Sequence, residues 1–244
     1  MLKSRFSRWG KVSLVGMAAT GALLLAACSG GGAAAEGGGG EAAAAPDNSD
    51  IKICVYTHGD GGTFWAVAQK GAEDAAKTLG VTLDYQGSTN DASKQASTIE
   101  AGVQGGCSGI AASAPDPGAI TGAMKAAEDA GIPMVTINSG SAVFKDLGAF
   151  THVGQDEIVA GREAGEKFNE LGVKKILCPI QEAANSGLTD RCKGAKETFS
   201  GEVIDFNADQ ALADLTGAEA KIRAALEADA AIDAVFALNA DVAT

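Results

Sequence analysis

From residue 51 to residue 238, short β-branched runs alternate with longer stretches of helical periodicity, and this alternation admits few folds. The strand-like runs are residues 51–57, 81–86, 107–114 and 132–138, then 175–180, 202–206 and 232–238. Several are apolar through most of their length, as strands buried on both faces of a parallel sheet must be. Between them Phe64, Ala68, Ala72, Ala75 and Leu79 recur at helical spacing, as do Ala119, Ala123, Ala126 and Ala130. Asp91 or Ser93 and the Asp116-Pro117 pair mark helix starts, while Gly80, Gly131 and Gly172 mark helix ends. Strands alternating with helices of this size predict βαβ units, hence an α/β fold of doubly wound parallel sheets. The alternation lapses between Gly140 and Phe150 and resumes near Asp156. The chain is therefore expected to form a first lobe at residues 50–150 and a second at 151–244. Small-molecule sites in such sheets lie beyond the carboxyl ends of the strands. That singles out residues 58–65, 114–118, 138–140, 181–189, 207–210 and 239–241.

The segment ahead of the first strand has a different purpose. Lys3, Arg5, Arg8 and Lys11 precede an apolar run at residues 12–25 that is too short and glycine-broken to act as a stable membrane span. The run ends in Leu25-Ala26-Ala27-Cys28, which resembles a bacterial lipobox. That resemblance implies a signal peptide at residues 1–27, removed on export, and a diacylglycerol on the Cys28 thiol. The competing reading is an ordinary secretory signal with Cys28 incidental. Residues 29–45 contain only Gly, Ala, Ser and Glu, a composition unable to bury enough surface to fold. Residues 28–49 are read as a tether, spanning about 25 Å as a flexible chain. A lipid-anchored, extracytoplasmic protein is expected.

Charge and cysteine content agree with export. The net charge is −12, and residues 1–27 hold four cations and no acids, so maturation takes it to −16. Such a chain repels a phosphate backbone, which excludes nucleic acid as a partner. Once Cys28 is set aside, four cysteines remain, an even number suited to an oxidising compartment. Cys178 lies near the end of a predicted strand and Cys192 in the first turns of the next predicted helix, so these two are expected to pair. Closing that loop is worth about 3 kcal/mol in the chain-entropy model. For Cys54 and Cys107, on neighbouring strands at different heights, pairing stays open. No CxxC spacing occurs, and the two histidines, His58 and His152, lie far from any cysteine pair, which disfavours a structural zinc site.

Catalytic and cofactor signatures are missing. There is no GxSxG, the nearest approach being Gly106-Cys-Ser108-Gly109, and no P-loop, HExxH or EF-hand loop. Residues 59–64 follow a strand and open a helix as a dinucleotide loop would. Phe64 stands where the third glycine belongs, however, and Asp60 would repel a pyrophosphate. His58 and His152 both end predicted strands; each is read either as a ligand donor or as a structural histidine near a hinge.

Six motifs in order carry a family resemblance. Thr63-Phe64-Trp65 followed by Lys70-Gly71-Ala72 looks like the Asn-Pro-Phe-Phe…Gly-Ala segment of ribose-binding-type solute-binding proteins. Gly109-Ile-Ala-Ala-Ser-Ala-Pro115, Ala130-Gly-Ile-Pro-Met-Val-Thr-Ile-Asn138 and Val153-Gly-Gln-Asp-Glu157 with Ala160-Gly161 continue it. Arg191-Cys-Lys-Gly194 and Ala234-Val-Phe-Ala-Leu-Asn239 extend it to the chain end. The resemblance implies a type I periplasmic-binding fold that closes two lobes on a monosaccharide or polyol. It also implies a monomer without cofactor or metal that delivers its ligand to an ABC permease. Relatives of that kind run about ninety residues further, so the second lobe is expected to be incomplete and the chain truncated.

A sugar offers hydroxyls at its rim and C–H faces above and below, so its site needs aromatic faces and planar amides or carboxylates. The ligand-binding candidates are Phe64, Trp65, Asp60, Asn138, Gln155, Thr189, Arg191 and Asn239. Helix core is the competing role for the aromatic pair, and turn or helix capping for the amides. The chain departs from the family pattern in places. Asn138-Ser139 replaces a sugar-binding Asp-Arg, Ala114 replaces an Asn, and Ala240 falls where an Asp often follows Asn239. Thr189 occupies the place of a binding Arg, with Arg191 two residues on. A nucleoside or autoinducer-type ligand, a sensor role and an extracellular α/β enzyme are the alternatives.

Overall fold

The hydrophobic alternation becomes two parallel sheets in the computed structural model, which describes residues 47–209 and 211–243. The first sheet is built from β1 (Asn48–Thr57), β2 (Val81–Gly87), β3 (Gly109–Ser113), β4 (Met134–Ile137) and β5 (Thr151–Val153), in the order β2-β1-β3-β4-β5. Helices α1 (Gly62–Leu79), α2 (Ala92–Gln104) and α3 (Pro117–Asp129) make its crossovers. The second contains β6 (Lys175–Ile180), β7 (Glu202–Asn207) and β8 (Ala234–Val235) in the order β7-β6-β8, with α4 (Glu157–Glu170), α5 (Ser186–Thr198) and α6 (Leu215–Ala228). Every strand pair is parallel, as continuous apolar runs require. The lipobox at Cys28, the signal peptide and all but the end of the tether lie outside the described residues. β1 begins at Asn48, inside the stretch assigned to the tether, and that residue is held by its side-chain amide donating to the Leu79 carbonyl.

Local chemistry sets the helix ends. Asp91, Asp116, Asp156, Asn185 and Asp214 each accept a backbone N–H in the first turn of α2 to α6, and Pro117 opens α3. Gly80 closes α1 in the left-handed region at φ 68°. The buried faces of two helices differ from the expected alanine stripes. In α1 the buried residues are Trp65 and Ala76, with Phe64 and Leu79 about half exposed; in α3 they are Ile120, Ala123, Met124 and Ala127. Both helices turn so that the largest side chain is buried, because alanines differ little in the area they remove from water.

The lobe boundary also shifts. Thr151–Val153, expected to open the second lobe, pairs with β4 and completes the first sheet. The chain crosses between sheets after Val153, and α4 then packs along α5 in the second lobe. The first core gathers Tyr56, Ile99, Ile110, Ile120, Met124 and Met134; the second centres on Cys178, Leu188, Cys192 and Leu238. A disulfide staples each: Cys178 to Cys192, and Cys54 to Cys107, the pair the spacing left open.

Candidate functional site

A parallel sheet whose strand order reverses leaves a crevice at the reversal, between loops that diverge to opposite faces. In the first sheet that point lies between β1 and β3; in the second it lies between β6 and β8. The crevices face one another across a cavity of about 800 Å³, within the range that holds a small ligand. Its walls come from both lobes, through His58, Phe64, Trp65, Asn138 and Gln155 on one side and Gln181, Glu182, Asn185, Arg191 and Asn239 on the other.

On the first-lobe side, the turn after β1 seats the aromatic pair. A Cβ at Gly59 would lie 2.1 Å from the Trp65 indole nitrogen, so only glycine lets the indole rest on that backbone. The indole meets the His58 ring edge-on at 5.0 Å and the Phe64 ring edge-on at 4.9 Å. Trp65 is thus buried but cavity-lining, while Phe64 keeps an open face. His58 is fixed by Ser113, whose hydroxyl oxygen accepts the His58 backbone N–H at 2.8 Å and lies 2.8 Å from Nδ1. The other ring nitrogen, Nε2, faces the Glu182 carboxylate at 3.4 Å in the opposite lobe. Burial pushes the Glu182 carboxyl up, but His58 and the Asn185 amide together outweigh that and hold it below the usual carboxylate range. Three further contacts bridge the lobes. Ser186 donates N–H and Oγ–H to the Pro115 carbonyl, the Ser139 hydroxyl lies between Asn138 Oδ1 at 3.0 Å and Asn185 Oδ1 at 3.3 Å, and Thr63 donates to Asp241.

On the second-lobe side, close packing of α4 on α5 places the charged pair. Glu157, buried at the start of α4, accepts from Arg191 Nε at 2.6 Å and from Gln155 Nε2 at 3.0 Å. Arg191 also donates to the Leu238 carbonyl at 2.9 Å, which ties α5 to the loop after β8. Two of five guanidinium N–H donors are spent this way, leaving the others at the cavity wall. Asn138 ends β4 in the left-handed region at φ 59°, which Asn tolerates better than most residues, and this turns its amide to the cleft. Asn239, also on the cavity wall, holds its turn by accepting the Asp241 N–H at 2.7 Å.

Six of the eight ligand-binding candidates meet at this cavity: Phe64, Trp65, Asn138, Gln155, Arg191 and Asn239. Asp60 and Thr189 do not. Asp60 is exposed and accepts from Thr89 Oγ1 at 2.8 Å, because the turn after β1 aims it at the β2 side. Thr189 lies one helical step off the inner face of α5 and bonds the Ser186 carbonyl in its own helix. Glu157, Gln181, Glu182 and Asn185 line the cavity too without having been named as candidates, although the last three fall in the segment 181–189 singled out by its place after a strand. Among the described residues no group of three or more His, Cys, Asp or Glu is arranged to hold a metal.

Comparison with known proteins gives a consistent picture. The chain is 32% identical over 149 residues to a putative rhizopine-binding protein of Rhizobium meliloti, covering 54% of this chain and 48% of that one. It is 27% identical over 157 residues to the ribose import binding protein RbsB of Bacillus subtilis, covering 54% and 50%. The chain thus spans about half the length of the curated relatives it matches. Among solved structures, a carbohydrate transporter from Acidothermus cellulolyticus 11B, in complex with myo-inositol, superposes with a TM-score of 0.72 at 38% identity, covering 79% of this chain and 67% of that one. The model of the periplasmic binding protein domain matches residues 53–244. With two parallel sheets facing one another across a cleft, this chain belongs to the periplasmic binding protein domain family.

Proposed function

We propose that this protein is the substrate-binding component of an ABC importer, a binding protein and not an enzyme, and that it captures a neutral polyol or monosaccharide between its lobes. The observation that carries the reading is the convergence of an open Phe64 ring, the Asn138 and Asn239 amides and the Arg191 guanidinium on one cavity. An aromatic face suits the C–H surface of a sugar, and planar amide and guanidinium groups suit paired hydroxyls. The cavity charges of Glu157, Glu182 and Arg191 do not sum to a positive site, which disfavours phosphorylated or acidic sugars. The relative with bound myo-inositol and the two relatives named for rhizopine and ribose support the class.

Thermal shift on the full-length protein tests it. Myo-inositol, D-ribose or D-arabinose at a hundred times its Kd should raise Tm by about 5–10 °C. A rise with adenosine and none with any polyol would transfer the site to the nucleoside reading.

The same proposal includes the lipid anchor at Cys28, supported by the small residues and apolar run before it. Cys28→Ala should release the protein from membranes or leave the signal uncleaved, read by fractionation and mass. A variant that fractionates and migrates like wild type would remove the anchor from the account.

A further inference from the structure

One buried polar atom at the cleft lacks a partner, and the groups around it show where its partner must come from. Gln181 is the first residue past β6, at the reversal point of the second sheet, and is 4% exposed. Nothing among the described residues donates to its Oε1. An unpaired buried acceptor costs free energy that a folded chain normally avoids. Donors on neighbouring residues are directed at other acceptors. His58 gives its backbone N–H to Ser113 and turns Nε2 to Glu182; Asn185 Nδ2 donates to Glu182 Oε2 at 2.6 Å; Gln95 Nε2 donates to the Ser113 carbonyl at 2.8 Å. Gln181 lines both the main cavity and a smaller one of about 230 Å³.

We infer that Gln181 Oε1 is a specificity-determining acceptor for one hydroxyl of the bound ligand. The inference rests on the polyol-binding reading above. The oxygen has no protein donor in the free protein and gains one from the ligand on binding. A site built this way rejects the analogue that lacks the hydroxyl, since binding it would leave Oε1 buried and still unpaired.

The test is calorimetry and thermal melting of the full-length wild type and Gln181→Met, an apolar replacement of similar length, with myo-inositol and its monodeoxy derivatives. Without ligand the variant should melt about 2–4 °C higher, because an unsatisfied group is gone. It should bind myo-inositol about tenfold more weakly or worse. For one deoxy derivative that difference should vanish, which identifies the hydroxyl. A merely structural amide moves stability and affinity downward together, so a variant that melts lower or fails to fold overturns the inference. Unchanged affinity for myo-inositol, or a loss that persists across every deoxy derivative, also overturns it. A wild type that binds neither myo-inositol nor D-ribose overturns the ligand class instead, and the melting comparison still decides whether the Gln181 oxygen is unpaired.

Discussion

Gly161→Val is expected to cost about 3–5 kcal/mol of folding stability, a large share of what a domain possesses. The reason is the distance between α4 and α5. A Cβ at Gly161 would lie 2.1 Å from the Arg191 carbonyl oxygen, and one at Gly194 2.2 Å from the Ile158 carbonyl oxygen. At Gly165 the nearest atom, Thr198 Oγ1, would be 2.4 Å away, and that hydroxyl already donates to the Arg162 carbonyl at 2.6 Å. Backbone meets backbone here, so a side chain can be accommodated only by separating the helices. Gly122 in α3 is the control: a Cβ there meets nothing within 4 Å. Gly122→Ala should stabilise by about 0.5–1 kcal/mol, since the interior of a helix prefers alanine. Urea denaturation measures both. Equal midpoints for Gly161→Val and wild type would show that the helices do not pack on these glycines.

The second large effect is expected at Glu157. Its carboxylate is the ion-pair partner of Arg191, with the two side chains 6% and 18% exposed. Glu157→Ala strands a guanidinium in a half-dry wall with only the Leu238 carbonyl to bond, at a cost of about 3 kcal/mol. It also frees Arg191 to leave its position, so ligand affinity should fall with stability. Glu157→Gln keeps an acceptor of the same shape and should lose less of both. Denaturant melts and calorimetry on the two variants check this. An Ala variant within about 0.5 kcal/mol of wild type, the range of an ordinary surface substitution, would mean the pair carries no weight.

How far the sequence revealed this molecule depends on how local each signal is. The α/β class and the strand runs were legible because apolar runs and caps such as Asp116-Pro117 act over a few residues. Helix phase was less so. The alanine stripes of α1 and α3 have the right period, but Trp65, Ile120 and Met124 decide which face is buried. The crossing point was misplaced because three residues, Thr151–Val153, carry no mark of which sheet they join. At the cavity, candidates chosen for their place past predicted strands, such as Asn138 and Asn239, do line the wall. Thr189 and Arg191 differ by two positions on one helix, and only the docking of α5 on α4 selects the second. Glu182 lay in a loop singled out by its place after a strand, but neither it nor Glu157 was picked out, because their partners lie 124 and 34 residues away, which no spacing rule encodes.

The central claim is that a polyol binds between the lobes against the Phe64–Trp65 pair, and one fluorophore reports on it. Trp9 lies in the predicted signal peptide, which leaves Trp65 as the single tryptophan of residues 28–244. Its indole lines the cavity and touches both His58 and Phe64, so a ring seated there changes its surroundings directly. Titrating processed, full-length protein with myo-inositol should change Trp65 emission saturably, and Arg191→Met should abolish the change while Trp65 emission in the free protein stays as in wild type. Emission unmoved up to millimolar myo-inositol, D-ribose and D-arabinose alike would contradict the account.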